Sequence, residues 1–323
     1  MSSQQPLVTI VTPSFNQGPF IEQTIESVLS QDYPHVEYLV MDGGSTDETL
    51  DVLRRYEGRL VWVSEPDRGQ SDAINKGFRR ARGEIIAWLN SDDVYLPGII
   101  SESVAYLQAH PEVDLVYGDI QFIDGQGEVI EKEVRSKPFS LTMLLTEFST
   151  LHQQTAFFRR DLLDRIGYLD ESLHYFMDIE LWVRIALRGQ GAYLPGVRAQ
   201  SRLHDVSKSI SQQERFWAER RRVLDQLYTQ PDLPGEALRA RREAYAHCEL
   251  YWGENLLDLG QRSQAQPHLW HALRRHPRTR RRALALALLV DSALGTHLSE
   301  LGRSVRDRVG GHPTPRQMPD PPN

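Results

Sequence analysis

Over its first ninety residues the chain alternates between short apolar, β-branched runs and helical runs. Leu7–Thr12, Val36–Met41, Leu60–Val63 and Glu84–Leu89 read as strands. Between them, Ile21, Ile25, Val28 and Leu29 form an apolar stripe at helical spacing, with Pro19 at the helix start. Ser45 with Glu48 predicts a capping box for a second helix. Ile74, Gly77, Phe78 and Ala81 mark a third. This rhythm is satisfied by a parallel sheet with helices on its faces, and such sheets bind ligands beyond the carboxyl ends of their strands. Polar residues gather at those ends: Ser14 and Asn16, then Asp42, then Asn90, Asp92 and Asp93.

The chemistry of that edge narrows the ligand. No G-x-G-x-x-G follows the first strand and no G-x-x-x-x-G-K-[ST] occurs, which excludes a dinucleotide fingerprint and a P-loop. The edge is carboxylate-rich. Carboxylates repel phosphate, but Mg²⁺ or Mn²⁺ bridges the two, taking one or two protein carboxylates and filling its other positions with water and phosphate oxygens. A metal-bound nucleotide diphosphate is therefore compatible with the edge.

Four segments carry a resemblance. Thr12-Pro13-Ser14-Phe15-Asn16, Met41-Asp42-Gly43-Gly44-Ser45-Thr46-Asp47, Arg68-Gly69-Gln70-Ser71-Asp72 and Ala87-Trp88-Leu89-Asn90-Ser91-Asp92-Asp93 resemble, in order and spacing, the family 2 glycosyltransferases. The resemblance implies a GT-A fold (an α/β, Rossmann-like, mostly parallel sheet), a nucleotide-diphospho-sugar donor, commonly UDP-linked, and inversion at the anomeric carbon. It implies that Pro13, Ser14 and Phe15 flank the base, that Asp42 hydrogen-bonds it, and that Arg68 and Asp72 line the donor pocket. Asn90-Ser91-Asp92 occupies the D-x-D position. Asn90 departs from the pattern, and Asp92 is the expected metal ligand.

Further along, Gln121–Ile123 and Val129–Ile130, separated by Asp124-Gly125-Gln126-Gly127, read as a hairpin. His152, Gln153 and Gln154 precede a strand and are candidate acceptor contacts. Tyr175-Phe176-Met177-Asp178-Ile179-Glu180 resembles the family's base-bearing motif. Inverting transfer needs a carboxylate to take the acceptor hydroxyl's proton, and Asp178 is that candidate; the plainer reading is a helix N-cap. Glu180 and Arg184 have the spacing of a helical ion pair. His204, in Arg202-Leu203-His204-Asp205-Val206-Ser207, resembles the family's late His-x-x-Ser segment, which implies contact with metal or diphosphate.

Charge separates the chain into two parts. Residues 1–211 hold 19 basic and 31 acidic residues, whereas residues 212–323 hold 18 Arg, no Lys and 13 acidic residues. The net charge of −7 argues against a nucleic-acid binder. We therefore expect a GT-A domain over 1–211, an arginine-rich helical region over 212–309 with helices at 213–228, 236–259, 263–275 and 280–309, and a disordered tail over 310–323. The cluster Arg274, Arg275, Arg278, Arg280, Arg281 and Arg282 before apolar Ala283–Val290 suits either peripheral docking on an anionic membrane face or a solvated helix face, and the second is preferred. The lone Cys248 forms no internal disulfide, and no segment reaches membrane-spanning length, so a cytoplasmic setting is expected. The sequence thus predicts a metal-dependent inverting glycosyltransferase acting on a glycan, lipid-linked or protein hydroxyl. The competing expectation is a non-catalytic sugar-nucleotide-binding or scaffold protein whose helical tail recruits partners.

Overall fold

The computed structural model describes residues 5–147, 151–204 and 213–294, which fall into two compact units. In the first, β1 (Val8–Ser14), α1 (Gly18–Leu29), β2 (Val36–Asp42), α2 (Thr49–Arg55), β3 (Val61–Ser64), α3 (Gln70–Arg80) and β4 (Ile85–Trp88) alternate as expected. They continue into β5 (Val94–Tyr95), α4 (Ile99–Ala109), β6 (Leu115–Ile123), β7 (Val129–Val134) and α5 (Leu141–Thr146). A 3-10 turn at Gln153–Thr155 leads to β8 (Phe157–Arg159), α6 (Leu162–Ile166), α7 (Met177–Arg188) and β9 (Gly191–Arg202).

The strand order is β3-β2-β1-β4-β8-β6-β9-β5, with β7 paired to β6. β1 runs parallel to β2 and β4, and β6 runs parallel to β9, while β8 lies antiparallel to both its neighbours. β3, β2, β1, β4, β6 and β9 therefore share one direction. β5 lacks the length to announce itself in the sequence; its residues pair antiparallel with β9, Val94 opposite Gln200. The first arm of the expected hairpin is the end of a longer strand, β6, and β7 returns antiparallel to it.

Both faces of the central strands are covered, which is why β1, β2 and β4 are buried along their length rather than in alternation. On one face Val8, Ile10, Val40 and Ala87 pack with Ile21 and Ile25 of α1 and Ile100 and Val104 of α4. On the other, Phe78 of α3 and Trp182 of α7 meet Trp88 of β4, the two indoles stacked with centroids 5.4 Å apart. Gly77 sets how closely α3 approaches β1: a Cβ there would lie 2.4 Å from a Val11 methyl. At the amino ends of the strands, buried Glu37 accepts from Thr9 Oγ1 (2.6 Å) and Arg82 N (2.8 Å), leaving the carboxyl ends to carry the site.

The second unit joins Leu145–Glu147 to α8 (Gln213–Leu227), α9 (Gly235–Asp258), α10 (Arg262–Arg275) and α11 (Thr279–Leu294). Its core is Leu250, Leu256, Leu269, Ala272, Ala285 and Leu288. Arg220 is 1% exposed, donating to Leu145 O at 2.9 Å. Part of the arginine cluster is paired within the unit: Arg278 bridges Glu147 (3.0 Å) and Glu243 (2.5 Å), and Arg282 donates to Leu273 O. No helix among the described residues is long and apolar enough to cross a membrane. The expected helix beyond residue 294, the tail at 310–323 and the segment 205–211 lie outside the described residues.

Candidate active site

The parallel register of β1 and β2 sets Ser14 beside Asp42. Past these residues the two loops are stitched together. Gly43 N donates to Ser14 O (2.8 Å), Asn16 N to Ser45 Oγ (2.7 Å), Thr46 N to Asn16 Oδ1 (2.9 Å) and Gly18 N to Asp47 Oδ2 (3.0 Å). Asn16 makes this possible by taking φ 51°, a left-handed conformation that Asn tolerates better than most residues. Ser14 is buried and Phe15 is 58% exposed at the lip.

Asp42 has a structural duty that the sequence did not disclose. Its carboxylate accepts from Gly44 N (3.1 Å), Ser45 N (2.9 Å), Ser64 Oγ (2.6 Å) and the Ser45 hydroxyl, and the residue is 2% exposed. The expected Ser45–Glu48 capping box does not form. Ser45 is spent on Asp42, Glu48 takes the N-cap position of α2 without a side-chain cap, and Asp47 accepts from Thr49 N at 3.0 Å instead.

At the start of α3, Asp72 accepts from Arg68 N (3.0 Å) and pairs with the Arg68 guanidinium (3.3 Å). Burial alone would raise its carboxyl, but Arg68 and Lys76 hold it below the usual range. The Arg68 side chain is 73% exposed and is also tied to Glu171, which itself accepts from Asn75 (3.1 Å) and Arg79 (3.3 Å).

At the end of β4, Asn90 Oδ1 accepts from Gln70 Nε2 (2.7 Å), and its amide nitrogen donates to Asp93 Oδ2 (3.3 Å). Asn90 thus cross-links α3 to the carboxylate loop, a use for an amide that a carboxylate in its place lacks. Ser91 and Asp93 are buried. Burial, and then the charge of Asp92, push the Asp93 carboxyl up to about 8. Asp92 is more open, and its Oδ2 lies 3.1 Å from His204 Nε2. Arg202, missed in the sequence, organises this pair. It is 4% exposed, its Nε donates to Asp92 O (3.0 Å), and its backbone N donates to Asp93 Oδ1 (3.1 Å). Its guanidinium lies over Phe20, whose ring packs 4.8 Å from that of His204. The available signal was its place two residues before His204 at the end of a strand.

The candidate acceptor residues divide. Gln153 Nε2 donates to Trp88 O (2.6 Å), holding the end of β4. Gln154 donates to Ser201 Oγ (3.0 Å), and both side chains face Asp93. His152 is buried. All three are built into the wall of the site rather than opened towards solvent.

Asp178 lies in the first turn of α7 and not at its N-cap, which is Phe176. Its Oδ1 accepts from Ile179 N (2.7 Å). The residue is half-buried, and loss of solvation pushes its carboxyl up to about 6. Ser71 fixes this helix end against α3, its hydroxyl lying 2.7 Å from both Leu173 O and Met177 Sδ. Two neighbouring residues of α3 thus reach the two sides: Ser71 touches Met177, which precedes Asp178, and Gln70 donates to Asn90 at the end of β4. Glu180 pairs with Arg184 at 2.7 Å as the spacing predicted, and has no role at the edge.

A divalent cation fits this edge with few protein ligands. No group of three or more His, Cys, Asp or Glu side chains suited to a metal occurs among the described residues. Asp92 and His204 do converge, one oxygen and one nitrogen donor, and Mg²⁺ or Mn²⁺ fills remaining positions with water and phosphate oxygens. Such a pair suits a cation that arrives with its donor.

Residues 9–167 match the family described as glycosyl transferase family 2. An uncharacterised glycosyltransferase of Mycobacterium tuberculosis, Rv1514c, is 33% identical over 187 residues, covering 56% of this chain and 70% of that protein. The chain is a family 2 glycosyltransferase. Rickettsia glycosyltransferases match at 27% identity, the matched part spanning 71%, 64% and 36% of three of them. Among solved structures, TarS residues 1–349 from S. aureus, in complex with UDP-GlcNAc, superposes with a TM-score of 0.66 at 17% identity, covering 93% of this chain and 92% of that one. The mannosyltransferase PcManGT from Pyrobaculum calidifontis, in complex with GDP-Man and Mn²⁺, superposes at 0.61 with 21% identity, covering 94% and 81%. These likenesses establish the GT-A fold of this glycosyltransferase, and the polar strand-end edge described above belongs to it.

Proposed function

We propose that this glycosyltransferase transfers a sugar from a UDP-linked donor to an acceptor hydroxyl with inversion, in a metal-dependent reaction that uses Asp178 as base. The observation that carries this reading is the Asp92–His204 pair beyond the end of β4, with Asp178 in the first turn of the helix whose start is held by Ser71 of α3. Asp92 and His204 would hold Mg²⁺ or Mn²⁺. The bound cation would neutralise charge on the leaving diphosphate. Pro13, Ser14 and Phe15 would flank the base, with Asp42 shaping the loop beneath it. Arg68, oriented by Asp72 and Glu171, would meet the donor from the α3 side.

The step needs one proton removed and one bond exchanged. The acceptor oxygen attacks the anomeric carbon while the bond from that carbon to the phosphate oxygen breaks. Asp178 takes the hydroxyl proton, and the electron pair leaves with the nucleoside diphosphate. A carboxyl poised near 6 suits this role, since its base form predominates at neutral pH while retaining more proton affinity than an ordinary aspartate. The acceptor is a glycan, lipid-linked or protein hydroxyl, and residues 1–211 form the catalytic domain.

The test is hydrolysis and transfer from a panel of UDP- and GDP-sugars with Mn²⁺. EDTA should abolish turnover. Asp178→Asn should remove turnover while leaving UDP affinity near that of the parent. Full turnover by Asp178→Asn would reject the base assignment, and activity with GDP-sugars alone would reject the UDP reading.

A further inference from the structure

In the helical unit, α8, α9 and the end of α10 form an open cleft of about 360 Å³ lined by Arg221, Asp225, Arg241, Arg242, Tyr245 and Arg275. Four guanidinium groups converge here with a single carboxylate among them, which makes a locally positive surface that favours an anion. The single lining carboxylate, Asp225, is already committed, accepting from Tyr245 Oη (2.8 Å) and pairing with Arg221 (3.3 Å). Arg221 is also tied to Glu249 on its buried side. Among the described residues no carboxylate pairs with Arg241, Arg242 or Arg275. The other acid of this stretch, Glu243, is taken by Arg278.

Three of the guanidiniums are also held in place. Arg241 lies over the Tyr228 ring (5.3 Å) and Arg221 over Tyr245 (4.9 Å), the two rings 5.6 Å apart. Arg242 Nε donates to Arg275 O (2.7 Å), which leaves its terminal nitrogens for another acceptor. Planar guanidinium forks fixed by stacking and backbone bonds lose little entropy on engaging an oxyanion, and they match phosphate in bidentate fashion.

We propose that this cleft is a phosphate-binding site, separate from the donor edge, that takes a phosphate or phosphodiester group without a metal ion. Arg241, Arg242 and Arg275 supply the donors, with Arg241 oriented by the Tyr228 ring and Arg242 by the Arg275 carbonyl. The ligand chemistry differs from that at Asp92, where carboxylate and imidazole require a cation to approach phosphate.

The experiment is calorimetric titration of the full chain with inorganic pyrophosphate in EDTA, so that the donor edge, lacking a cation, does not compete. Saturable binding is expected. Arg241→Ala with Arg275→Ala should weaken it by about tenfold or more, roughly 1.4 kcal/mol, whereas Asp92→Ala should leave it unchanged. These arginines are exposed, so an unchanged Tm should verify that the double variant folds. Absence of saturable pyrophosphate binding by the parent, or equal binding by the folded double variant, would overturn the proposal. Flotation with phosphatidylglycerol vesicles identifies the source of the phosphate. Binding that pyrophosphate competes away and the double variant lacks assigns a lipid headgroup, and no flotation assigns a soluble phosphate.

Discussion

His204 Nε2 lies 3.1 Å from Asp92 Oδ2 although 112 positions separate the two residues, and buried Arg202 holds the Asp92 backbone from the same strand that delivers His204. An open carboxylate and an imidazole in contact are either an ion pair or two ligands awaiting a cation.

The second alternative has a measurable consequence. Asp92→Ala should reduce Mn²⁺-dependent donor hydrolysis by about 100-fold, and His204→Ala should shift the Mn²⁺ activation curve to higher concentration by about tenfold. Activation curves that coincide for parent and both variants would leave the pair as a structural contact.

Arg202→Lys tests whether the pair must be preorganised. Lysine cannot reproduce the contacts of the guanidinium to Asp92 O and Asp124 O, 3.0 and 2.9 Å away. The expected outcome is a lower Mn²⁺ affinity together with a loss of stability of about 2 kcal/mol. Denaturant unfolding separates the two effects, since metal affinity is compared on folded protein.

Asp178 gives a pH dependence in both activity and stability. Its carboxyl, at about 6 in the folded chain against 3.8 for an ordinary aspartate, must be ionised to act as base, so kcat/KM should rise as pH increases through about 6. For stability the sign is opposite. The folded state binds this proton more tightly than the unfolded state, so the protein loses stability as pH rises from about 4 to 6, by about 2 kcal/mol after discounting for the side open to water. Asp178→Asn should therefore melt higher than the parent at pH 8 and match it near pH 4. Parallel melting curves at both pH values would contradict the raised carboxyl.

Asp42→Asn should behave as a loop variant. Replacing one carboxylate oxygen by an amide turns an acceptor of several hydrogen bonds into a donor facing donors, at a cost of about 2–4 kcal/mol. Weaker UDP binding should accompany the loss, and Ser45→Ala should show both effects in smaller measure. Lost UDP affinity with unaltered stability would instead assign Asp42 a direct contact to the base.

Gly77→Ala tests the spacing between α3 and β1. The added methyl meets Val11 at 2.4 Å in a two-sided core, so a loss of about 1–3 kcal/mol is expected, read by thermal or urea unfolding. An unaltered midpoint would mean that α3 slides freely on the sheet.

The sequence by itself determined the alternation of β1 through β4, the polar strand ends, the positions of the first three helices after residue 212 and the start of the fourth, because these depend on local spacing and composition. The Glu180–Arg184 pair was legible for the same reason: both partners sit one helical turn apart. Tertiary structure decided what each polar group at the edge does. Asp42 and Asp92 look alike as aspartates after strands. One is enclosed by Ser45 and Ser64 and the other faces His204, because partners 22 and 112 positions away arrive there only when the sheet closes. Ser45 was misread as a helix cap since local propensity offered that role, and a buried carboxylate nearby outcompeted it. The arginine excess of the second part was equally plain in composition. Only folding separated the arginine spent on Glu147 and Glu243 from those left around an open cleft, because helix packing decides which cations come within reach of those acids.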